Sequence, residues 1–281
     1  MDLSVLSSGA SLLGAFFLLF FIGKLVNDIV HRSYNLTVEL VEHDNPAMGL
    51  AMAGYYLGLV LAIGGAVTGP SAGLVQDLTD IAIYGTASIV LVNLSWLVAD
   101  RVILRTFSIT KELVQDHNLG TGAVVAGYCV ASGLIIHGAV EGEGGSLITV
   151  GVYWLLGQIC LLIAERVYCL IIGYDVHAEI EKDNIAAGVS FCGAMAGMGI
   201  IIGLAGTGDF TSWQDNLPEY LGYAALGLVL LPLIRFVADR VLLPTVSLCD
   251  EIAGQEKANL GAAFIEAFSY IAAAFIIFWC V

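Results

Sequence analysis

The sequence has few charged residues. Only 12% of its 281 residues are charged and 58% are hydrophobic, whereas a soluble protein carries roughly 25% charged residues. With a mean hydropathy of +0.89, the chain must bury most of its surface in lipid, so a disordered chain and an ordinary soluble enzyme are both excluded. Among the charged residues, the 10 Lys and Arg are outnumbered by 25 Asp and Glu, which gives a net charge of -15. Because an acidic chain repels nucleic acid, we expect no DNA or RNA partner.

Reactive and cofactor-binding motifs are missing as well. The six cysteines form no CxxC pair, and most lie inside apolar stretches, which favours reduced, packed thiols. No glycine-rich phosphate loop, nucleophile elbow, haem box or catalytic dyad occurs. We therefore expect neither an enzyme activity nor a cofactor.

Long apolar runs, in contrast, fill the chain. A membrane-spanning helix needs about 20 mostly apolar residues. The sequence predicts an all-α polytopic membrane protein with eight transmembrane helices, embedded in the lipid bilayer. The eight stretches are 9–33, 46–67, 81–107, 119–140, 148–173, 185–206, 220–244 and 260–281.

The positive charges predict the orientation of these helices. Each lies in the second half of an odd-numbered stretch or in the loop that follows it, and the loops 69–80, 141–146 and 207–219 contain none. Because Lys and Arg stay cytoplasmic during insertion, we expect both termini to be periplasmic or extracellular. The ten residues are Lys24, Arg32, Arg101, Arg105, Lys111, Arg166, Lys182, Arg235, Arg240 and Lys257.

A short motif recurs in the four odd-to-even connections. An acid begins each connection, an Asn ends it, and a small residue follows four positions after that Asn. The four pairs are Glu39 and Asn45, Glu112 and Asn118, Glu179 and Asn184, and Glu251 and Asn259.

A second, longer period relates the two halves of the chain. Gly54-x-x-x-Gly58 recurs as Gly193-x-x-x-Gly197, and Asn118-Leu-Gly recurs as Asn259-Leu-Gly. We therefore predict two tandem four-helix repeats, residues 1–143 and 144–281. An even number of helices makes the repeats parallel, and the glycine pairs indicate close helix packing.

Together, the acid, the Asn and the glycine-rich helix that follows resemble the YjfL-type bacterial inner-membrane family, a four-helix domain of undefined function. The resemblance covers nearly the whole chain as two copies. It implies a bacterial inner-membrane location and a link to envelope-stress or polyamine-related genes, and it supplies no accepted catalytic residues. The fourth unit departs from the pattern, because Phe268 stands where the other units have Gly54, Gly127 and Gly193. This difference predicts looser packing of the last helix.

One acidic residue recurs deep in each odd-numbered stretch. An ionised carboxylate at the centre of a membrane helix costs about 2.5–3.5 kcal/mol, so its fourfold repetition needs a reason. The acids could form a ring that attracts or relays a cation. Alternatively, they could be interfacial anchors paired with neighbouring arginines whose side chains reach the headgroups. The four acids are Asp28, Asp100, Glu165 and Asp239.

Glu266 stands alone among the even-numbered stretches. The matching positions are Met52, Val125 and Phe191, and no charged residue lies within a turn of it in the sequence. An ionisable residue inside a membrane helix is a functional candidate by default. We therefore expect Glu266 to bind or relay a proton or a cation.

Acidic residues and histidines also cluster in the connections, as in Glu39, Glu42, His43 and Asp44. Such groups can ligate divalent ions, but their spacing matches no EF-hand or zinc motif, so no metal is assigned. Capping of the following helices is the favoured interpretation. A cytoplasmic mouth that concentrates inorganic cations or polyamines is the weaker one.

Two functional hypotheses follow. The first is a cation or proton channel or transporter that uses the repeated acids and Glu266. The second is a non-catalytic scaffold that recruits a cytoplasmic envelope-stress protein through its acidic connections. A second copy of the chain is a further candidate partner.

Overall fold

The protein is described by a computed structural model that covers residues 3–280, with side chains from Leu6 onward. Within this part of the chain, eight long helices are apolar enough to cross a membrane and no strand is present. The predicted all-α fold is therefore confirmed. The helices in chain order are α1 (Leu3–Val30), α2 (Leu36–Val41), α3 (Pro46–Thr68), α4 (Leu74–Val98), α5 (Ile109–Val114), α6 (Leu119–Val140), α7 (Leu147–Ile171), α8 (Val176–Glu181), α9 (Ile185–Ala205), α10 (Trp213–Val237) and α11 (Leu260–Cys280).

The eight long helices pair into four hairpins, here numbered 1 to 4: α1 with α3, α4 with α6, α7 with α9, and α10 with α11. The short helices α2, α5 and α8 lie in the connections within hairpins 1 to 3. Short π-helical segments follow α4 and α10, at Ala99–Ile103 and Ala238–Leu242, and a third, Asp250–Gly254, lies in the last connection. We call the membrane side of these connections the Lys/Arg side.

Three helices begin earlier than the apolar runs predict. They are α1 at Leu3, α4 at Leu74 and α10 at Trp213. The additional first turn contains Gln76 and Asp77 in α4, and Gln214 and Asp215 in α10. Hydropathy alone therefore could not assign these turns to the helices. In α10 the Ser212 hydroxyl accepts a hydrogen bond from the Asp215 backbone N–H at 3.2 Å, which caps the first turn of the helix.

The helices form two layers. In the core layer, α3 packs on α6, α6 on α9, and α9 on α11. In the cover layer, α1 packs on α4, α4 on α7, and α7 on α10. Helices α4, α7 and α10 each contact two neighbouring core-layer helices. The four hairpins thus stand side by side in the same orientation, as two parallel four-helix repeats, and α1 and α10 lie at opposite ends of the cover row.

Glycines let the core-layer helices touch backbone to backbone. A Cβ atom placed on Gly54 would lie 2.2 Å from Ala126 Cα, and one placed on Gly193 would lie 2.2 Å from Ala267 Cα. Helices associate in lipid through such close packing, because the lipid is as apolar as the side chains and provides no hydrophobic driving force. The predicted packing role of the glycines is confirmed.

The expectation that Phe268 loosens the last helix is wrong. The contact with Gly193 is made by Ala267, one residue earlier. Phe268 is 62% exposed, on the face of hairpin 4 that corresponds to the glycine faces by which hairpins 1 to 3 pack on the next hairpin. The glycine is needed only where another hairpin follows.

Candidate functional site

The predicted Glu and Asn of each connection are hydrogen-bonded to each other. The Nδ2 group of Asn45 donates to Glu39 Oε2 at 3.0 Å, and that of Asn259 donates to Glu251 Oε2 at 2.7 Å. Asn118 with Glu112 and Asn184 with Glu179 make the same bond. Each Asn oxygen also accepts from the backbone N–H three residues later. The motif therefore caps the four core-layer helices, as one of the two interpretations expected.

The same asparagines join neighbouring hairpins. Asn45 Nδ2 also donates to the Leu113 carbonyl of the next hairpin at 2.7 Å, Asn118 to Ile180 at 2.7 Å, and Asn184 to Ile252 at 2.8 Å. Asn259 is exposed at the end of the row. These bonds hold the row together on the Lys/Arg side.

The four repeated acids have separate partners. Asp100 Oδ1 accepts from the Ile109 backbone N–H at 3.0 Å, and Asp239 Oδ1 accepts from Leu248 at 2.8 Å. Asp28 pairs with Lys24, one turn earlier in α1. Because each acid is engaged within its own hairpin and the cover-layer helices stand in a row, this arrangement offers no ring around a common axis. It fits the anchoring interpretation.

Glu165 is the exception among the four, because its side chain is fully buried. Arg166 Nε lies 3.2 Å from Glu165 Oε2. His177 Nε2 and Cys169 Sγ both lie 3.5 Å from Oε1. His177 Nε2 is also 3.1 Å from the Ile103 carbonyl of hairpin 2, so this acid holds the connection of hairpin 3 against its neighbour.

Glu266 forms a buried ion pair. It is the seventh residue of α11, about 10 Å from the start of the helix at 1.5 Å per residue. Arg235 Nη1, from α10, lies 2.6 Å from Glu266 Oε2, and the Glu266 side chain is 0% exposed. The hydroxyls of Tyr168 and Tyr270 each donate to Oε1 at 3.4 Å. Helices α7, α10 and α11 thus bring an acid, a base and two phenols together inside the membrane-spanning part of the protein.

A further phenol lies between this ion pair and the Lys/Arg side. Tyr174, in the connection of hairpin 3, is half-buried, near Tyr168 and the charge of Glu266. Burial, followed by the Glu266 charge, raises the pKa of Tyr174 above its ordinary value. Its hydroxyl therefore keeps its proton at neutral pH and can act as a donor.

Sequence reasoning found Glu266 but missed Arg235, Tyr168 and Tyr270. Arg235 lies 31 positions before Glu266 in the sequence, and it was interpreted only as a marker of orientation. A signal was present, because Arg235 lies five residues before Arg240, more than one helical turn further into the apolar stretch. A cation placed so far inside an apolar stretch needs a buried partner.

The repeat places different residues at this site in the first half of the chain. Counting from the repeated acids, Arg235 corresponds to Trp96 and Tyr168 to His31; counting from the Asn caps, Glu266 corresponds to Val125. Trp96 and Val125 are both buried, and the rings of His31 and Trp96 lie 4.9 Å apart. The first half therefore closes the same position with apolar and aromatic packing.

A cavity of about 480 Å³ opens on the side opposite to the Lys/Arg side. Its lining includes the carboxylates of Asp77, Asp80, Glu141 and Glu143. No Lys or Arg occurs in the loops of that side, so the cavity is a region of negative potential. Local partners already engage some of these acids, since Asp77 accepts from Ser71 at 2.6 Å and His137 lies 3.5 Å from Glu141.

The family described as Domain of Unknown Function (DUF350) matches the chain twice, over residues 1–140 and 144–281. The chain belongs to this family. The tandem copies of a domain of undefined function fit the two repeats of the fold, while the name YjfL does not appear among these matches.

Two relatives of this DUF350 chain are bacterial membrane proteins. The UPF0719 transmembrane protein of Aquifex aeolicus (strain VF5) is 24% identical over 270 residues, which are 94% of this chain and 96% of that protein. The UPF0719 transmembrane protein YshE of Bacillus subtilis (strain 168) is 29% identical over 113 residues, 40% of this chain and 79% of that protein. No solved structure matches the chain significantly. The protein is thus a multi-pass integral membrane protein.

Proposed function

We propose that this protein moves protons or small cations across the membrane and that the Arg235–Glu266 pair is its ionisable centre. The observation that carries the proposal is the complete burial of Glu266, 2.6 Å from Arg235, inside membrane-spanning helices. Ionisable residues at such positions are rare and mark ion or proton pathways.

The energetic cost of the pair supports a functional role. Removing two charges from water costs several kcal/mol per ion, and well-packed apolar residues are often equally or more stabilising at the same place. The first half of the chain contains such a solution, with Trp96 and Val125 buried at the matching positions. The fold therefore does not require an ion pair there, and its presence in the second half needs another explanation.

The chemistry of the pair suits reversible proton binding. A proton on Glu266 would neutralise the carboxylate, weaken its attraction to Arg235 and free the guanidinium to move. Tyr168 and Tyr270 contact the same carboxylate oxygen, so a phenol can pass a proton to or from it. A small cation could instead replace Arg235 at the carboxylate.

The acidic cavity on the opposite side supports movement of a positive species. Carboxylates in a concave, lipid-bounded site raise the local concentration of cations. Four of them line this cavity. The cavity would then be the entrance, and the ion pair the point at which the charge is held.

The test is ion flux into liposomes that contain the purified protein, measured for H⁺, K⁺, Mg²⁺ and polyamines. We expect Glu266→Gln to abolish flux. The double variant Arg235→Trp with Glu266→Val, which installs the residues of the first half, should fold normally and also be inactive. Glu165→Gln is the matched control, since it removes another buried acid of the same half.

Each outcome has a definite meaning. Flux that survives in the folded double variant would overturn the proposal, because the ion pair would then be dispensable. Equal loss in Glu165→Gln would show a general effect of removing buried acids and would also count against it. Absence of flux in the wild type, together with recovery of a cytoplasmic stress protein bound to the connections, would favour the scaffold hypothesis.

We further propose that the Lys/Arg side faces the cytoplasm of a bacterial inner membrane, so that both termini lie outside. The basis is that loops 69–80, 141–146 and 207–219 contain no Lys or Arg, whereas the connections on the other side contain several. In a cysteine-free background, an impermeant thiol reagent applied to intact spheroplasts should label Ser71→Cys and not Gln255→Cys. The reverse pattern would show the opposite orientation.

A further inference from the structure

Three potential metal ligands meet on the Lys/Arg side, at the boundary between hairpins 1 and 2. Glu39 and His43 come from the connection of hairpin 1, and His117 comes from that of hairpin 2. His43 Nδ1 lies 3.3 Å from Glu39 Oε1, and His117 Nε2 lies 4.0 Å from Glu39 Oε2. All three ligand atoms lie within 4.8 Å of one another. This group is separate from the Arg235–Glu266 centre.

We propose that Glu39, His43 and His117 bind a divalent transition-metal ion of the Zn²⁺ type. Two imidazoles and one carboxylate form a common ligand set for zinc, with bonds of about 2.0–2.2 Å. In a tetrahedral site such bonds place the ligand atoms roughly 3.3 Å apart. Glu39 Oε1 and His43 Nδ1 already have this separation. His117 Nε2, 4.0 Å from Glu39 Oε2, must move closer to both partners to complete the site.

The surroundings of Glu39 resemble those of a metal-binding carboxylate. Its side chain is only 6% exposed, and Asn45 Nδ2 donates to Oε2 at 3.0 Å. Metal-ligating carboxylates are themselves held by such hydrogen bonds, which fix their orientation. Both histidine side chains, in contrast, are accessible, at 49% for His43 and 39% for His117. An ion from the adjacent aqueous phase can therefore reach the site and keep a water ligand.

Histidines occupy these two positions at this boundary alone. Asp116 and Asp183 stand at the positions of His43 and His117 in the boundary between hairpins 2 and 3. Lys111 Nζ lies 2.8 Å from Asp116 Oδ2, and Asp183 Oδ1 accepts from the Leu119 backbone N–H at 2.8 Å. Those carboxylates are thus occupied, whereas the pair of histidines provides nitrogen ligands suited to a transition metal.

The second group of this kind, Glu165, Cys169 and His177, is a weaker candidate. Arg166 already pairs with Glu165, and its charge would repel a cation. The Nε2 atom of His177 is engaged by the Ile103 carbonyl. This group therefore provides an internal comparison.

The experiment uses the full-length protein in detergent, with Zn²⁺ titrated calorimetrically and Co²⁺ followed by its visible absorption bands. We expect one high-affinity ion per chain and a tetrahedral Co²⁺ spectrum. Loss of a hydrogen bond to a ligand alone weakens metal binding about 10–100-fold, so His43→Asn and His117→Asn should each weaken it by at least tenfold. Asn tolerates the positive φ of 49° found at His117, which keeps that variant folded.

His177→Asn is the matched control and should leave the affinity unchanged. Binding that persists in the His43→Asn/His117→Asn double variant, or binding lost in His177→Asn alone, would overturn the proposal. The elution volume of each variant in size-exclusion chromatography verifies its fold independently of metal. Because the test measures metal binding and not flux, its failure would leave the proposed function untouched.

Discussion

The two halves of the molecule share one arrangement of helices and differ in the chemistry of one site between them. In the first half, His31, Trp96 and Val125 fill this position, and the rings of His31 and Trp96 lie 4.9 Å apart. In the second half the matching residues are Tyr168, Arg235 and Glu266, and a charged pair replaces the apolar contact. The glycine contacts around the two positions are alike, with the same 2.2 Å approach at Gly54 and at Gly193. The fold thus accepts either chemistry.

This comparison separates what the fold needs from what it tolerates. Close helix packing recurs in both halves and is therefore part of the architecture. The ion pair occurs once, at a position where an apolar alternative exists in the same chain. A duplicated domain can specialise in this way, because one copy maintains the structure while the other acquires charge.

The largest effect is expected from removing one member of the ion pair. Arg235→Leu leaves Glu266 buried without its partner and should destabilise the protein by about 3–5 kcal/mol. Replacing both residues, as Arg235→Trp with Glu266→Val, should restore most of this loss. Unfolding in mixed detergent micelles measures both variants. A single variant as stable as the wild type would mean that Glu266 is not held as a charge, and the contrast between the halves would disappear.

An intermediate effect is expected at Asn118, which joins the first half to the second. Asn118 bonds to Glu112, to the Ile180 carbonyl and to the Thr121 N–H, so Asn118→Ala should cost about 2–3 kcal/mol. Asn259 occupies the same position at the exposed end of the row, and Asn259→Ala should cost about 1 kcal/mol, the value of a lost cap. The same unfolding assay compares them. Equal losses would contradict a stabilising role for the bond between hairpins.

The smallest effect concerns pH. Burial lowers the pKa of His31 below its ordinary 6.5, outweighing the Asn27 carbonyl and Asp100, which raise it. The unfolded chain therefore binds a proton more readily than the folded chain. The contribution of neutral His31 to the free energy of unfolding is fully present above pH 6.5 and decreases as the pH drops below that value. In His31→Phe the unfolding midpoint should change less between pH 8 and 5.5 than it does in the wild type. An unchanged pH dependence of the midpoint would mean that other groups cause it.

The sequence predicted the architecture well because the relevant signals are local. Eight apolar runs and the spacing between Glu and Asn lie within short stretches of chain. The site was harder to predict, because Glu266 pairs with a residue from another helix. The internal repeat matches Arg235 with Trp96 but does not reveal which residues are in contact. Phe268 was misinterpreted for a similar reason. Its consequence depends on whether another hairpin follows, which is a property of the row and not of the residue.

The open row has an evolutionary consequence. Because the extensive contacts between hairpins, among residues 3–280, join neighbours in the row, an additional pair can be appended without rebuilding the existing ones, as in solenoid proteins. Matches to relatives as different as the Aquifex protein, covered over 96% of its length, and the Bacillus protein, which matches only 40% of this chain, fit growth by such modules. Solenoids end in a repeat whose outer face is altered. Phe268, exposed where the other hairpins have glycine, gives the outer face of the fourth hairpin a different surface from theirs.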